Sequence, residues 1–181
     1  MLLVLSPFLH RGGKWLGAVD LLLGRETRAQ YLSRFVVPGL ADPLADEAAA
    51  RRLAAEVPPD GRAFLWGFAP QVFFLADRQP AGRLVNCYPY LGPHPAPRLS
   101  QELLADLRAR PPERVLVHFD EVNEIETLQR ADAMQLLSRF TALKEWIDAN
   151  YEIEAREGHF DFYRPKAASE PGGAPSTAAR R

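Results

Sequence analysis

Two arginines, a tryptophan and an acidic cluster are the residues of this chain whose types and spacing suit chemistry. Arg78 and Arg83 flank Pro80 at the end of the stretch FLWGFAPQVFFLADRQPAGR, which spans 64–83. Guanidinium forks bind oxyanions through paired hydrogen bonds, so these two are suited to clamping a phosphate or a sugar carboxylate. Trp66 offers a flat apolar face to a sugar ring, and Gly67 and Gln71 lie just beyond it. Asp120, Glu121, Glu124 and Glu126 follow an apolar run, where carboxylates can hold a ligand or a divalent cation. Each has a plainer reading beside it. Arg78 pairs with Asp77 or caps a helix end, Arg83 is structural, and Trp66 belongs to the core. The acidic run is then a solvated loop, and its spacing fits no calcium loop.

Other chemistries lack a pattern. Arg11-Gly12-Gly13-Lys14 falls short of a phosphate loop, and the chain contains no dinucleotide glycine fingerprint, zinc-protease helix motif or nucleophile elbow. His10, His94, His118 and His159 are scattered, and His118, inside an apolar strand, reads as a core histidine. Cys87 reads as buried and structural; thiol chemistry there would require a base close in space. No metal site and no cofactor is read from these residues.

The elements that must position the candidates follow from patterning. A length of 181 residues, 47% of them hydrophobic, suits one domain with a core. The 22 basic and 23 acidic residues leave a net charge of −1, which offers no footprint for a nucleic-acid backbone. The single cysteine excludes an internal disulfide and a cysteine-rich zinc site. The apolar opening Met1 to Leu9 is interrupted by Ser6 and Pro7, short of the roughly 20 residues of a spanning helix. Followed by His10, Arg11 and Lys14, it reads either as a core segment or as the end of a membrane helix meeting the interface.

Further along, the 15–23 segment reads as a helix closed by Gly24, and Thr27 to Gln30 as a capping box opening a helix with Tyr31, Leu32 and Phe35, ended by Pro38-Gly39. A second helix is expected from Pro43 to Val57, with Leu44, Ala48, Leu53 and Val57 on one face. The strand to Trp66 follows, with a tight turn and a helix after it, and Leu84 to Cys87 is a candidate short strand. Beyond a proline-rich loop from Pro89 to Pro97, Ser100 is expected to cap a helix with Leu103, Leu104 and Leu107 inward. Val115 to Phe119 reads as a buried parallel strand, and one long helix is expected from Arg130 to Asn150 with the stripe Met134, Leu137, Phe140, Leu143 and Ile147. A hairpin around Glu157-Gly158 closes the sheet, and the tail after Pro165 reads as disordered. The pattern predicts a three-layer α/β domain with a mainly parallel sheet and an antiparallel hairpin at its end.

The 64–83 stretch is similar to the W-G-x-x-P-x-[IV]-[YF]…R-x-P-x-x-R signature in the soluble C-terminal domains of lipid-linked-sugar glycosyltransferases, the membrane enzymes of the dolichyl-phosphate-mannose–protein mannosyltransferase and aminoarabinose transferase type. Gly24-Arg25-Glu26-Thr27-Arg28-Ala29-Gln30-Tyr31-Leu32 resembles the segment these domains carry after their last membrane helix. Leu103 to Leu107 with Pro111-Pro112, then Tyr151-Glu152-Ile153 and Phe162-Tyr163-Arg164, resemble later family elements in family order. Gly82 departs from the Ser or Thr often found before the second arginine. The resemblance implies a Rossmann-like domain over 24–164, a membrane-proximal segment over 1–23 and a tail over 165–181. It also implies an extracytoplasmic location, a membrane-embedded partner half in the same or a separate chain, and a polyprenyl-phosphate sugar or acceptor nearby. The family's catalytic acid and lipid-phosphate site belong to the membrane half and map onto no residue here, so this chain alone is expected to be inactive. The competing expectation is a free-standing small α/β binding module or enzyme with its site at the carboxyl edge of the sheet. Under either, the ligand-facing candidates are Trp66, Gly67, Gln71, Arg78, Arg83 and Asp120.

Overall fold

The computed structural model describes residues 17–39, 41–87, 90, 97–120, 122 and 130–167. The expectations for Met1 to Leu9, most of the proline-rich loop, Glu121, Glu124, Glu126 and the tail beyond residue 167 lie outside them. No helix among the described residues is long and apolar enough to cross a membrane.

Local chemistry sets where the helices begin. Residues 17–22 are helical, and Gly24, at φ +67°, ends that stretch: Arg25 N–H donates back to Asp20 O at 2.8 Å and Gly24 N–H to Leu21 O at 3.1 Å. Thr27 and Gln30 form the reciprocal capping box that opens α1 (Arg28–Ser33). Asp42 caps α2 (Pro43–Glu56), its Oδ1 accepting from the backbone of Leu44 and Ala45.

Among the described residues, five strands make one open sheet: β1 (Arg62–Trp66), β2 (Gln79–Pro80), β3 (Arg114–His118), β4 (Tyr151–Glu157) and β5 (Phe160–Pro165), ordered β2-β1-β3-β5-β4. β1 is parallel to both β2 and β3, whereas β5 is antiparallel to β3 and β4. The domain is therefore α/β with a mixed sheet. The expected hairpin supplies its antiparallel end, while the parallel end has three strands, one of them only two residues long.

Strand alternation divides the core between the two faces. Ala63, Leu65, Leu116, Phe160 and Phe162 pack under α2 and α3 (Gln71–Ala76). Phe64, Trp66, Val115, Val117 and Tyr163 pack under α4 (Pro97–Ala109), α5 (Ala133–Arg139) and α6 (Thr141–Asn150). Full burial of a side chain such as Phe160 or Phe162 contributes about 1.5–3 kcal/mol. β1 leads to α3 on one face of the sheet, and β3 is followed by α5 on the other. The chain thus leaves the carboxyl ends of these neighbouring parallel strands towards opposite faces, the arrangement that opens a crevice in an α/β sheet.

Several sequence expectations are corrected. The single helix expected from Arg130 to Asn150 is two, because Phe140 (φ −88°, ψ 66°) leaves the helical region between α5 and α6. Its ring is held 6.1 Å from that of Trp66, so the apolar stripe survives the break. The inner face of α2 carries Asp46, Ala49, Ala50 and Leu53 rather than Leu44 and Ala48, since an aspartate turns inward there. Leu84 to Cys87 is irregular, and the short parallel strand is Gln79–Pro80, an edge position that tolerates proline. Ser100 lies inside α4, which starts at Pro97, and α1 ends at Ser33, before Phe35.

Candidate functional site

The crevice at the carboxyl edge gathers side chains from four separate stretches. His118 is the last residue of β3, on the same face as Leu116; it is 5% exposed, and its ring stacks 4.7 Å from that of Phe160. Asp120 follows two residues later. The β3–β5 register sets His118 opposite Phe160, so His159, in the β4–β5 turn, stands beside Asp120. Phe119 N–H donates to His159 O at 3.1 Å and fixes the two backbones. The turn requires Gly158: its φ is +56°, and a Cβ there would meet Ala45 Cβ at 2.9 Å. That close approach brings His159 to the N-terminus of α2, where Asp42 waits.

His159 bridges two carboxylates. Its Nδ1 lies 2.7 Å from Asp120 Oδ2, and its Nε2 lies 3.4 Å from Asp42 Oδ2. His118 Nε2 is 3.8 Å from Asp120 Oδ1. That oxygen is buried and has no hydrogen-bond partner among the described residues. A cavity of about 320 Å³ opens over the group, walled by Val36, Val37, Pro38 and Gly39. This wall is held in place: Val37 and Ala41 pair as an antiparallel bridge, and Val122 N–H donates to Gly39 O at 2.7 Å.

Burial and charge compete within the group. Burial alone would lower the His159 pKa, but the hydrogen bond and charge of Asp120, with those of Asp42, overcome it and hold the pKa above the ordinary value. Asp46, one turn into α2 and 4% exposed, is pushed up by burial. Gln71 Nε2 donates to its Oδ2 at 2.7 Å, and the hydrogen bond and the nearby histidines offset only part of that rise.

The six sequence candidates do not gather in one place. Gln71 and Asp120 belong to this edge. Gly67 lies just past β1 at φ 141°, a conformation that favours glycine, and its carbonyl accepts from Cys87 N–H at 3.4 Å and from Cys87 Sγ at 3.3 Å. Trp66 is fully buried, and its Nε1 donates to Ala133 O at 2.7 Å. Arg78 donates to the carbonyls of Val57, Ala54, Ala76 and Asp77, joining the C-termini of α2 and α3. Arg83 pairs with Glu102 and Asp106 of α4. These last three side chains are engaged by the fold.

Sequence reading missed Asp42, Asp46, His118 and His159 as members of one group. The helix was expected to open at Pro43 and the hairpin to turn around Glu157-Gly158, but neither expectation says that the two meet. Compared with known proteins, the chain matches no family model, no curated protein and no solved structure.

Proposed function

We propose that the chain is the non-catalytic, extracytoplasmic domain of a multi-pass membrane glycosyltransferase that takes sugar from a polyprenyl-phosphate donor. The observation that carries this reading is at the N-terminal end of the described residues. Leu22 is 85% exposed, Val19 and Leu23 stand open beside it, and α1 buries none of its residues. Exposed aliphatic side chains in a row suit a partner or lipid surface, and this is where the resemblance puts the exit of the last membrane helix. The family-like segments from Gly24 to Arg164 support the same reading. So does an α/β sheet covered on both faces, as a Rossmann-like domain would be. In this role Trp66, Arg78 and Arg83 serve as framework that sets the domain against its membrane half.

A turnover assay tests the reading. Purified chain is expected to neither transfer sugar from polyprenyl-phosphate sugars nor hydrolyse nucleotide sugars, and a membrane half encoded in frame upstream or in the adjacent gene is expected to supply the activity. Robust turnover by the isolated chain overturns the proposal.

One observation favours a second reading. The histidine–aspartate group sits in a cavity at the carboxyl edge of the sheet, where a free-standing α/β binding module or small enzyme would keep its site. Turnover that disappears on changing Asp120 or His159 would establish it.

A further inference from the structure

We propose that His118, Asp120 and His159 form a binding site for a first-row divalent transition ion, with zinc as its type. The site is independent of whether the domain works beside a membrane half. One donor atom from each residue lies within 4.8 Å of the others, so a single ion can reach all three after small side-chain shifts. Two imidazoles and one carboxylate are the donors that zinc and its first-row neighbours accept. Calcium and magnesium instead ask for a shell of oxygens.

A second observation points to the same place. Asp120 Oδ1 is buried without a hydrogen-bond donor among the described residues, and it faces His118 Nε2 across 3.8 Å. A buried carboxylate oxygen in that state is costly unless something positive meets it, and an ion between Asp120 and His118 would do so.

The mounting is rigid enough for a metal site. His118 is held against Phe160, and His159 is set by a two-residue turn that admits only glycine before it. Asp42 spends Oδ1 on capping α2, and its Oδ2 lies by the His159 ring, positioned to orient that imidazole as carboxylates commonly do behind a metal-bound histidine. Three protein donors leave a coordination position facing the cavity, the feature that separates reactive zinc sites from closed structural ones.

The test uses the full untagged chain, titrated calorimetrically with zinc chloride and followed by thermal melting. The expected result is saturable one-to-one binding at micromolar zinc or below, with a Tm that rises with zinc concentration. Magnesium and calcium at the same concentrations are expected to do neither. Asp120→Asn and His159→Gln, each checked for folding by circular dichroism, should weaken zinc binding at least tenfold. A double variant His10→Gln/His94→Gln should bind as the parent does. Should the site variants fail to fold, cobalt substituted into the unaltered chain gives a second reading: visible bands of nitrogen and oxygen ligation, without a sulfur charge-transfer band. Absence of saturable binding below millimolar zinc overturns the proposal. Unchanged affinity in both site variants, loss of binding in the double variant, or a sulfur band from Cys87 also overturns it.

Discussion

Arg78 gives its guanidinium to four backbone carbonyls, whereas at the carboxyl edge of the same sheet Asp120 keeps a buried oxygen without a donor. The same contrast divides the two buried carboxylates. Asp161 is fully buried and meets Arg156 through both oxygens, a bidentate pair whose guanidinium also covers the Phe119 ring at 4.3 Å. Asp46 is nearly as buried and receives a neutral amide from Gln71 instead of a cation. Folding for stability alone pairs a buried charge or removes it. At the carboxyl edge, among the described residues, Asp120 Oδ1 lacks a donor and Asp46 lacks a cation, the pattern expected where a fold gives up stability for binding.

The largest effect that would sharpen this contrast is at Trp66. Replacing it with alanine empties a filled position between β1 and α5 and should cost about 3–5 kcal/mol by denaturant unfolding. A loss below 1 kcal/mol would break the view of this tryptophan as framework. Next comes Arg78→Gln, which leaves most of four helix-end carbonyls without their donor and should cost about 1.5–3 kcal/mol. Unchanged stability, paired with lost activity once a membrane half is present, would return Arg78 to a functional role.

At the edge, the sign should reverse. Asp46→Asn removes a buried charge while keeping a partner for Gln71, so its unfolding midpoint should rise, by roughly 0.5–2 kcal/mol in stability. A clear fall would mean that the carboxylate is part of the frame after all.

The smallest effect concerns Glu47. The Arg28 hydrogen bond, helped by the charges of Arg28 and Arg51 and opposed by burial, holds its carboxyl below the ordinary value and ties α1 to α2. A carboxyl depressed in the fold contributes stability above its unfolded pKa of about 4.3, and that contribution fades as pH falls through the folded value. Glu47→Gln should therefore differ from the parent in Tm at neutral pH and converge with it in acid. A difference that stays constant down to pH 3 would show that the ion pair contributes nothing.

Much of the frame was legible because it rests on local rules. Thr27 and Gln30 announce a capping box, Gly24 a helix end, and the alternation of 151–163 around Gly158 a hairpin. The α2 face was misread because hydrophobic periodicity does not expect an inward Asp46. The Phe140 break was hidden because its apolar stripe runs through α5 and α6 without interruption. Of the site, Asp120 and Gln71 were legible from their place after strands. The histidines were not: His159 and Asp120 are 39 residues apart, and only the antiparallel register of β3 with β5 brings them together. Non-local pairing of that kind leaves no periodic trace, whereas the arginine–proline pattern of 78–83 leaves a conspicuous one.

The proposed binding chemistry lies at the carboxyl edge, while Arg78 and Arg83 belong to the frame. Titration of isotope-labelled chain with zinc, followed by backbone amide shifts, tests it most directly. Changes are expected to concentrate at Gly39, Asp42, Asp120, His159 and Phe160, with the amides of Arg78 and Arg83 unmoved. Shifts centred on residues 78–83, with the edge silent, would contradict it.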